Sequence, residues 1–488
     1  MVHANFWKRF SAVSVSAVLF GLGALEARGQ DLRVNQDELA SFYGRMNVVV
    51  GSGARAFGMG GAFLARADDA TAASWNPAGL SYLRRKEFSV VGVHNDFSQE
   101  IPNENRAVTP AVQVTTRDQL RGSVADFVGF AYPLRLKGQT GAVQASYQRS
   151  FSFTGSRRSE GPVAASGFSL PGAKAALPTE FTVEGKGGFD TLSLSSGFEV
   201  HRQLRLGFSV NRWFRGFSQT VDRPDAQTGG SRQIHSAWDI SGTNVNLGGL
   251  FTPTPKLNLG AVMKTPFRAN VRLRKARTDD PRILDQNGNV TQATNNSESG
   301  EVLIRFPRVY GLGVSYRATN TVTVSADFTR TGWSQATITD FFGLARSGSS
   351  ETGDVERYPE LPFPAVESGT NGQADTSQLR IGAEWVLRLG GSGNVLLPVR
   401  AGFFLDGQPV IIKQSVEDGF PVPSEVKPVF SGFTAGFGVT VGGALFDVAY
   451  IREAGNVPAP NDRISDPRRA VRYNRVFASM MVRLGSRR

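Results

Sequence analysis

The stretch VVVGSGARAFGMGG, Val48 to Gly61, holds the residues whose spacing most suggests chemistry. Gly51, Gly53 and Ala56 satisfy the G-x-G-x-x-A spacing that brings a turn close to a pyrophosphate at a helix N-terminus. Asp68 and Asp69 follow at about the distance from which a carboxylate reaches a ribose. That reading needs a strand before the motif, a helix after it and βαβ units around it. A second glycine cluster, Gly58, Gly60 and Gly61, would interrupt the helix, and no βαβ pattern follows. Other reactive constellations are missing. His3, His94, His201 and His235 lie far apart with no H-x-x-x-H pair, and there is no cysteine, so neither a zinc site nor thiolate chemistry is expected. The chain has no G-x-S-x-G elbow and no G-x-x-x-x-G-K-[ST] loop. Asp285 to Asn289 resembles a calcium loop only faintly, because Gly288 comes too early and no Glu closes it, so a polar turn is expected there. The residues predict no catalytic site, no metal and no cofactor, hence a protein that is not an enzyme.

Composition points elsewhere. Among 488 residues there are 55 Gly and 34 Phe with only 20% charged residues, the profile of a β-rich protein with many turns. The net charge of +12 comes from arginine scattered through the chain rather than from basic runs. That distribution disfavours nucleic acid and suits phosphorylated lipid headgroups, such as those of outer-membrane lipid and lipopolysaccharide, or a solvated surface. Residues 1–29 read as a secretory signal peptide: Lys8 and Arg9 precede an apolar run from Phe10 to Leu25, and Ala27-Arg28-Gly29 supplies the small residues of a cleavage site. Export removes the chain from the compartment where soluble NAD is plentiful, which further weakens the dinucleotide reading.

From about residue 86 the dominant signal is alternation with a period of two, the mark of strands with two different faces. In Thr321 to Phe328, Val322, Val324, Ala326 and Phe328 share one face, and Thr321, Thr323, Ser325 and Asp327 share the other. Fourteen such segments stand near residues 86–97, 123–134, 140–152, 188–201, 203–217, 233–251, 256–273, 300–316, 321–334, 376–389, 395–406, 428–441, 443–454 and 470–485. Their connections alternate between long and short, as in an outer-membrane barrel with tight turns on one rim and long loops on the other. In hydrocarbon every backbone polar group must be paired within the protein, so a closed sheet is required. The expected fold is therefore all-β, a 14-stranded antiparallel transmembrane barrel over residues 86–488.

The alternation sends the apolar set to lipid and the polar set inward, so Arg205, Arg305, Arg380, Glu384, Arg400 and Asp406 are expected to face the lumen. There they either brace the wall or meet a ligand. Trp213, Trp333 and Trp385, with Tyr132, Tyr316, Tyr450 and Tyr473, lie near strand ends, where an interfacial aromatic girdle would sit, although core packing explains any one of them equally well. A barrel of this size leaks unless filled. Residues 30–85, rich in glycine and alanine and poor in strand periodicity, are the candidate plug. Within them Asp68 to Trp75 reads as a short helix with acidic residues in its first turn, and Pro77 forces Asn76 out of the helical region.

Gly51 to Leu80 closely resembles the N-terminal region of the FadL/TodX outer-membrane transporters of long-chain fatty acids and aromatic hydrocarbons. The GMGGA, ADDA and NPAG elements stand at Gly58–Ala62, Ala67–Ala70 and Asn76–Gly79. The resemblance implies a hatch folded into the lumen, to which Gly58, Gly60, Gly61, Asp68, Asp69, Asn76, Pro77 and Ala78 belong. It also implies passive uptake of a hydrophobic small molecule, captured among outer loops and released through the barrel or sideways past a kinked strand. The long, apolar connections that hold Phe168, Phe181, Phe341, Phe342 and Phe363 are the expected capture site, although the same aromatics could simply order the loops. PorV-like proteins share the G-M-G-G-A, A-D-D-A and W-N-P-A-G elements and serve protein secretion, so a barrel that binds or anchors secreted proteins is the alternative. The chain ends Val482 to Arg488 without the terminal aromatic that barrel-assembly machinery commonly reads, so assembly is expected either to use Phe477 or to tolerate the change. A monomer is expected.

Overall fold

The computed structural model describes residues 51–105, 112–136, 138–160, 181–224, 231–280, 294–339, 361–362, 374–389, 395–409, 412–415, 422–458 and 468–485. The strands in chain order are β1 (Lys86–Asn105), β2 (Val112–Leu136), β3 (Gln139–Ser152), β4 (Gly155–Glu160), β5 (Phe181–His201), β6 (Leu204–Phe214), β7 (Gly216–Pro224) and β8 (Ser231–Thr254). They continue as β9 (Leu257–Lys264), β10 (Phe267–Asp280), β11 (Thr294–Phe306), β12 (Val309–Arg317), β13 (Val322–Thr331), β14 (Thr337–Thr339), β15 (Leu361–Pro362), β16 (Thr376–Leu389) and β17 (Val395–Gly407). The last are β18 (Ile412–Ser415), β19 (Val422–Val426), β20 (Val429–Val441), β21 (Ala444–Pro458) and β22 (Arg468–Leu484). Apart from the β18–β19 hairpin, all form one antiparallel sheet, and β1 pairs with β22 from Lys86↔Leu484 to Glu100↔Ala470, closing it. Several short strands continue one another, as β3 and β4 or β9 and β10 do, so the wall is a closed 14-stranded barrel.

The face assignment follows the alternation. Leu206, Phe208, Ile381, Trp385 and Phe433 are exposed on the outer surface, while Ser209, Asp327, Glu384, Arg400 and Asp406 are buried. With its sheet closed by the β1–β22 pairing and an apolar belt outside, the barrel suits hydrocarbon. Among the described residues no helix is long and apolar enough to cross a membrane.

Several expectations need correction. Segment 98–122, expected as a long connection, is largely strand: β1 runs to Asn105 and β2 starts at Val112. Arg305 is exposed with Ile304 and Phe306 buried on the opposite face, so it points outward rather than into the lumen. The reason is an interruption: Pro307 and Arg308 separate β11 from β12, and across them the buried positions change from even numbers, Ile304 and Phe306, to odd ones, Val309 and Gly311. Of the proposed girdle, Tyr132, Tyr316, Trp385 and Tyr450 do face outward, but Trp333 is buried and Trp213 packs with the interior aromatics Phe151, Phe267 and Phe306. Phe477 is also interior, stacked on Phe57 at 4.3 Å, so it offers no outward-facing aromatic.

Candidate ligand passage and its plug

Residues 51–85 lie inside the barrel and contain two short helices, α1 (Ala54–Gly58) and α2 (Ala72–Trp75), followed by a 3₁₀ turn at Pro77–Tyr82. Helix α1 stops where the second glycine cluster begins, and Gly60 and Gly61 adopt φ of 68° and 77°, a region costly for other residues. The segment therefore has no helix N-terminus long enough to hold a pyrophosphate. Asp68 and Asp69 precede α2 instead of opening it. Asp69 Oδ1 accepts hydrogen bonds from the Thr71 N–H and hydroxyl, which turns the chain into the helix. Asn76 is extended, as Pro77 requires, and its side-chain amide donates to the carbonyls of Leu64 and Gly249 at 3.0 Å while its Oδ1 accepts from the Ala78 N–H. One side chain thus ties two parts of the plug to strand β8.

Charge fixes the opposite side of the plug. Glu384 on β16 accepts from Arg55 at 3.1 Å and Arg66 at 2.8 Å, both from the plug, and from Arg400 of β17 at 2.8 Å. Arg55 also meets Asp68 at 2.7 Å and Asp69 at 3.1 Å, and Arg400 meets Asp447 of β21 at 2.6 Å. Arg380 donates to the Gly60 carbonyl at 3.0 Å while pairing with Asp406 at 2.6 Å. Asp327 accepts the N–H groups of Phe63 and Leu64, and Thr434 bridges the Gly60 N–H and the Gly58 carbonyl. Burial of the Arg55, Arg66, Glu384, Arg400, Arg380 and Asp406 charges is tolerable because each has an ionic partner, while Asp327 rests on the two backbone N–H groups it accepts. Arg205, also interior, lies over the Tyr82 ring at 4.4 Å.

Sequence reasoning missed the wall's part in this contact. Inward-facing glycines stand where plug backbone touches strand. A Cβ on Gly382 would lie 2.1 Å from the Met59 carbonyl oxygen, and one on Gly402 would lie 2.2 Å from the Gly60 nitrogen. Across the barrel, Gly207 would meet Ala78 N at 2.4 Å and Gly248 would meet Asn76 Oδ1 at 2.1 Å. Gly197, Gly207 and Gly248 are register neighbours on β5, β6 and β8 and form a flat seat for Pro77–Ala78. The signal was present in the sequence, since Gly207, Gly382 and Gly402 occupy the polar face of their alternating segments.

Between the plug and the long-connection end lies a cavity of about 100 Å³, room for several waters. Ala73 and Ser74 of α2 floor it. One wall is polar: Ser146 of β3, Ser193 of β5, Asn211 of β6, and Asn244 and Asn246 of β8, with Lys264 of β9. The other is aromatic: Phe151, Trp213, Phe267, Phe306 and Trp333. Phe267 and Phe306 stack at 4.8 Å with Trp213 against both. The amides largely satisfy one another. Ser193 donates to Asn211, Asn211 to Asn244 and Asn244 to Asn246, and Trp213 Nε1 donates to Asn244 Oδ1 at 2.8 Å. These linked amides make few demands on water, so an apolar guest beside them leaves few amide groups unpaired.

The wall is interrupted beside this cavity. β2 pairs with β3 up to Phe127↔Gln148 and with β4 from Arg121↔Ser156 onward, so residues 122–126 and 149–155 face each other without ladder pairs. On its other edge β2 has a bulge that leaves Asp126 without a register partner in β1, between Val91↔Phe127 and Gly92↔Ala125. Asp126 is buried and accepts a hydrogen bond from Ser52 Oγ, at the start of the described plug. Of the expected capture residues, Phe168, Phe341, Phe342 and Phe363 lie outside the described residues. Phe181 begins β5, and its side chain is outside them too.

No curated protein matches the chain in sequence. The BamG family model matches residues 161–347, less than half of the chain. Among solved structures, the Ralstonia pickettii toluene transporter TbuX superposes with a TM-score of 0.53 at 14% identity, covering 90% of this chain and 99% of that one. A Pseudomonas aeruginosa FadL homologue gives 0.55 at 15%, covering 90% and 99%. The Pseudomonas putida toluene transporter TodX gives 0.53 at 14%, covering 90% and 100%. At these identities the likeness is one of fold: the chain has the FadL/TodX-type barrel, an outer-membrane architecture.

Proposed function

We propose that the chain is a passive outer-membrane channel for hydrophobic small molecules, in which residues 51–85 act as the hatch and the cavity on α2 is where the ligand pauses. The position of that cavity carries the reading. It is floored by the plug, walled by stacked aromatics and set beside the unpaired stretch between β2 and β3. Its size is of the order at which apolar cavities take up single-ring hydrocarbons, and the leading part of an alkyl chain would fit as well. Entry is from the long-connection side. Release follows when Ser52 leaves Asp126 and the start of the plug withdraws, which opens the interrupted wall towards the membrane. No energy source is required, because the ligand moves down its own gradient. Two solved neighbours are toluene transporters and a third is a FadL homologue, which agrees with this ligand class. A barrel that only bound secreted proteins would need neither the cavity nor the wall interruption.

The test is uptake of labelled toluene and labelled oleate by cells whose own hydrophobic channels are deleted, with and without this barrel. Faster entry of either compound is expected. Equal uptake of both would sink the channel reading and favour the protein-binding alternative.

A further inference from the structure

Three arginines on the outer surface stand in one row where the apolar belt ends on the long-connection side. On β6 the outward residues Phe208 and Val210 are followed by exposed Arg212. Arg212 pairs in register with Thr243 of β8, and Ala269 of β10 pairs with Gly242, which brings Arg268 to the level of Thr243. Arg268 is the direct cross-strand partner of Arg305 on β11, and both are exposed. The row thus spans four adjacent strands, about 15 Å at ordinary strand spacing. Below Arg305 the outward residues of β12 are Tyr310 and Leu312.

The row is unusual in its partners. Arg212 donates only to the Gly242 carbonyl and to the hydroxyls of Ser241 and Thr243. Neither it, Arg268 nor Arg305 has a carboxylate within ion-pair distance among the described residues. The next tier outward behaves otherwise: Arg272 pairs with Glu301 at 2.8 Å and Arg274 with Asp239 at 2.6 Å. Like charges directly opposite on neighbouring strands are unfavourable, and at a membrane boundary, where water is sparser, more so. Fork-shaped guanidinium groups at this depth match phosphate oxygens.

We propose that Arg212, Arg268 and Arg305 form a binding site for the phosphates of a phosphorylated glycolipid of the outer leaflet, whose acyl chains lie along Phe208, Val210, Tyr310 and Leu312. The site lies on the outer surface and is independent of the passage through the lumen.

The purified barrel in neutral detergent is titrated with bis-phosphorylated lipid A, with the same lipid dephosphorylated, and with inorganic phosphate. Binding is read by native mass spectrometry, and folding by heat-modifiable gel mobility. Tight binding is expected for the phosphorylated lipid alone. The R212Q/R268Q/R305Q variant should fold and bind it roughly a hundredfold more weakly, taking about 1 kcal/mol for each basic residue lost. R272Q/R274Q, which removes arginines that already have carboxylate partners, should bind normally. Unchanged binding by the triple variant, equal loss in the double variant, equal binding of the dephosphorylated lipid, or displacement by inorganic phosphate at matched concentration would each overturn the assignment.

Discussion

On the side of β13, β16, β17 and β20 the plug is held by charge, through Glu384, Arg400, Arg380 and Asp327, with carboxylates and guanidinium groups shared between wall and plug. There Gly382 and Gly402 also seat plug backbone; on the side of β3, β5, β6 and β8 the plug rests on glycine and neutral amides, with a half-exposed Arg84–Glu199 ion pair at 3.9 Å, and there the cavity opens. Separating a buried ion pair exposes uncompensated charge, whereas sliding a backbone off a glycine seat costs mainly contact area. Under the proposed function, a plug attached in these two ways would hinge on the first side and yield on the second, so that the lumen stays sealed until it opens beside a ligand.

The strongest way to break this comparison is Glu384→Gln. It leaves Arg55, Arg66 and Arg400 sharing one neutral acceptor, a loss of about 3–5 kcal/mol for a buried pair. The expected result is a steady ion leak in planar bilayers together with protease access to residues 51–85. If conductance stays at the parent level, the charged side is not the anchor. Gly207→Val should come next. Its side chain would press on Pro77 and Ala78 at a cost of about 1–3 kcal/mol, speeding hydrogen exchange in residues 76–82 while leaking less than the Glu384 variant. A leak as large as that of Glu384→Gln would mean that both sides anchor equally.

The two sides were unequally legible in the sequence. The barrel could be read because a wall strand has one apolar and one polar face, and the inward positions of Arg205, Arg380, Glu384, Arg400 and Asp406 follow from parity alone. Parity fails where a strand is interrupted, which is why it puts Arg305 on the wrong face, and beyond the membrane, where both faces meet water and strands such as β1 and β2 run on without alternation. In the sequence the wall glycines are only positions on a polar face. Their function depends on which plug backbone lies opposite, a three-dimensional fact with no local signature. The cavity is assembled from nine strands, β3, β5, β6 and β8 to β13, together with α2, and no spacing rule joins Ser146 to Trp333.

A milder change sharpens the yielding side. Ser146→Phe places a ring in the cavity without touching any plug ion pair. Uptake of toluene or oleate should fall several-fold with no ion leak, because occupancy is blocked and the seal is intact. Unchanged uptake would move the ligand's route away from this wall.

The smallest effect is expected from pH. Burial alone would raise the Asp68 pKa, but Arg55 and then Arg66 outweigh it and hold the carboxyl below its ordinary value. A carboxylate depressed in the folded state contributes stability above its unfolded pKa, near 3.9, and loses it only as pH falls through the lower folded value. The charged attachment around Arg55 should therefore be indifferent to pH between about 7 and 5 and begin to loosen only below about 4. Bilayer conductance recorded across that range checks this. A leak appearing near pH 6 would mean that the anchoring side carries a group titrating near neutrality, and the hinge would then have to be sought elsewhere than in the Arg55–Asp68 pair.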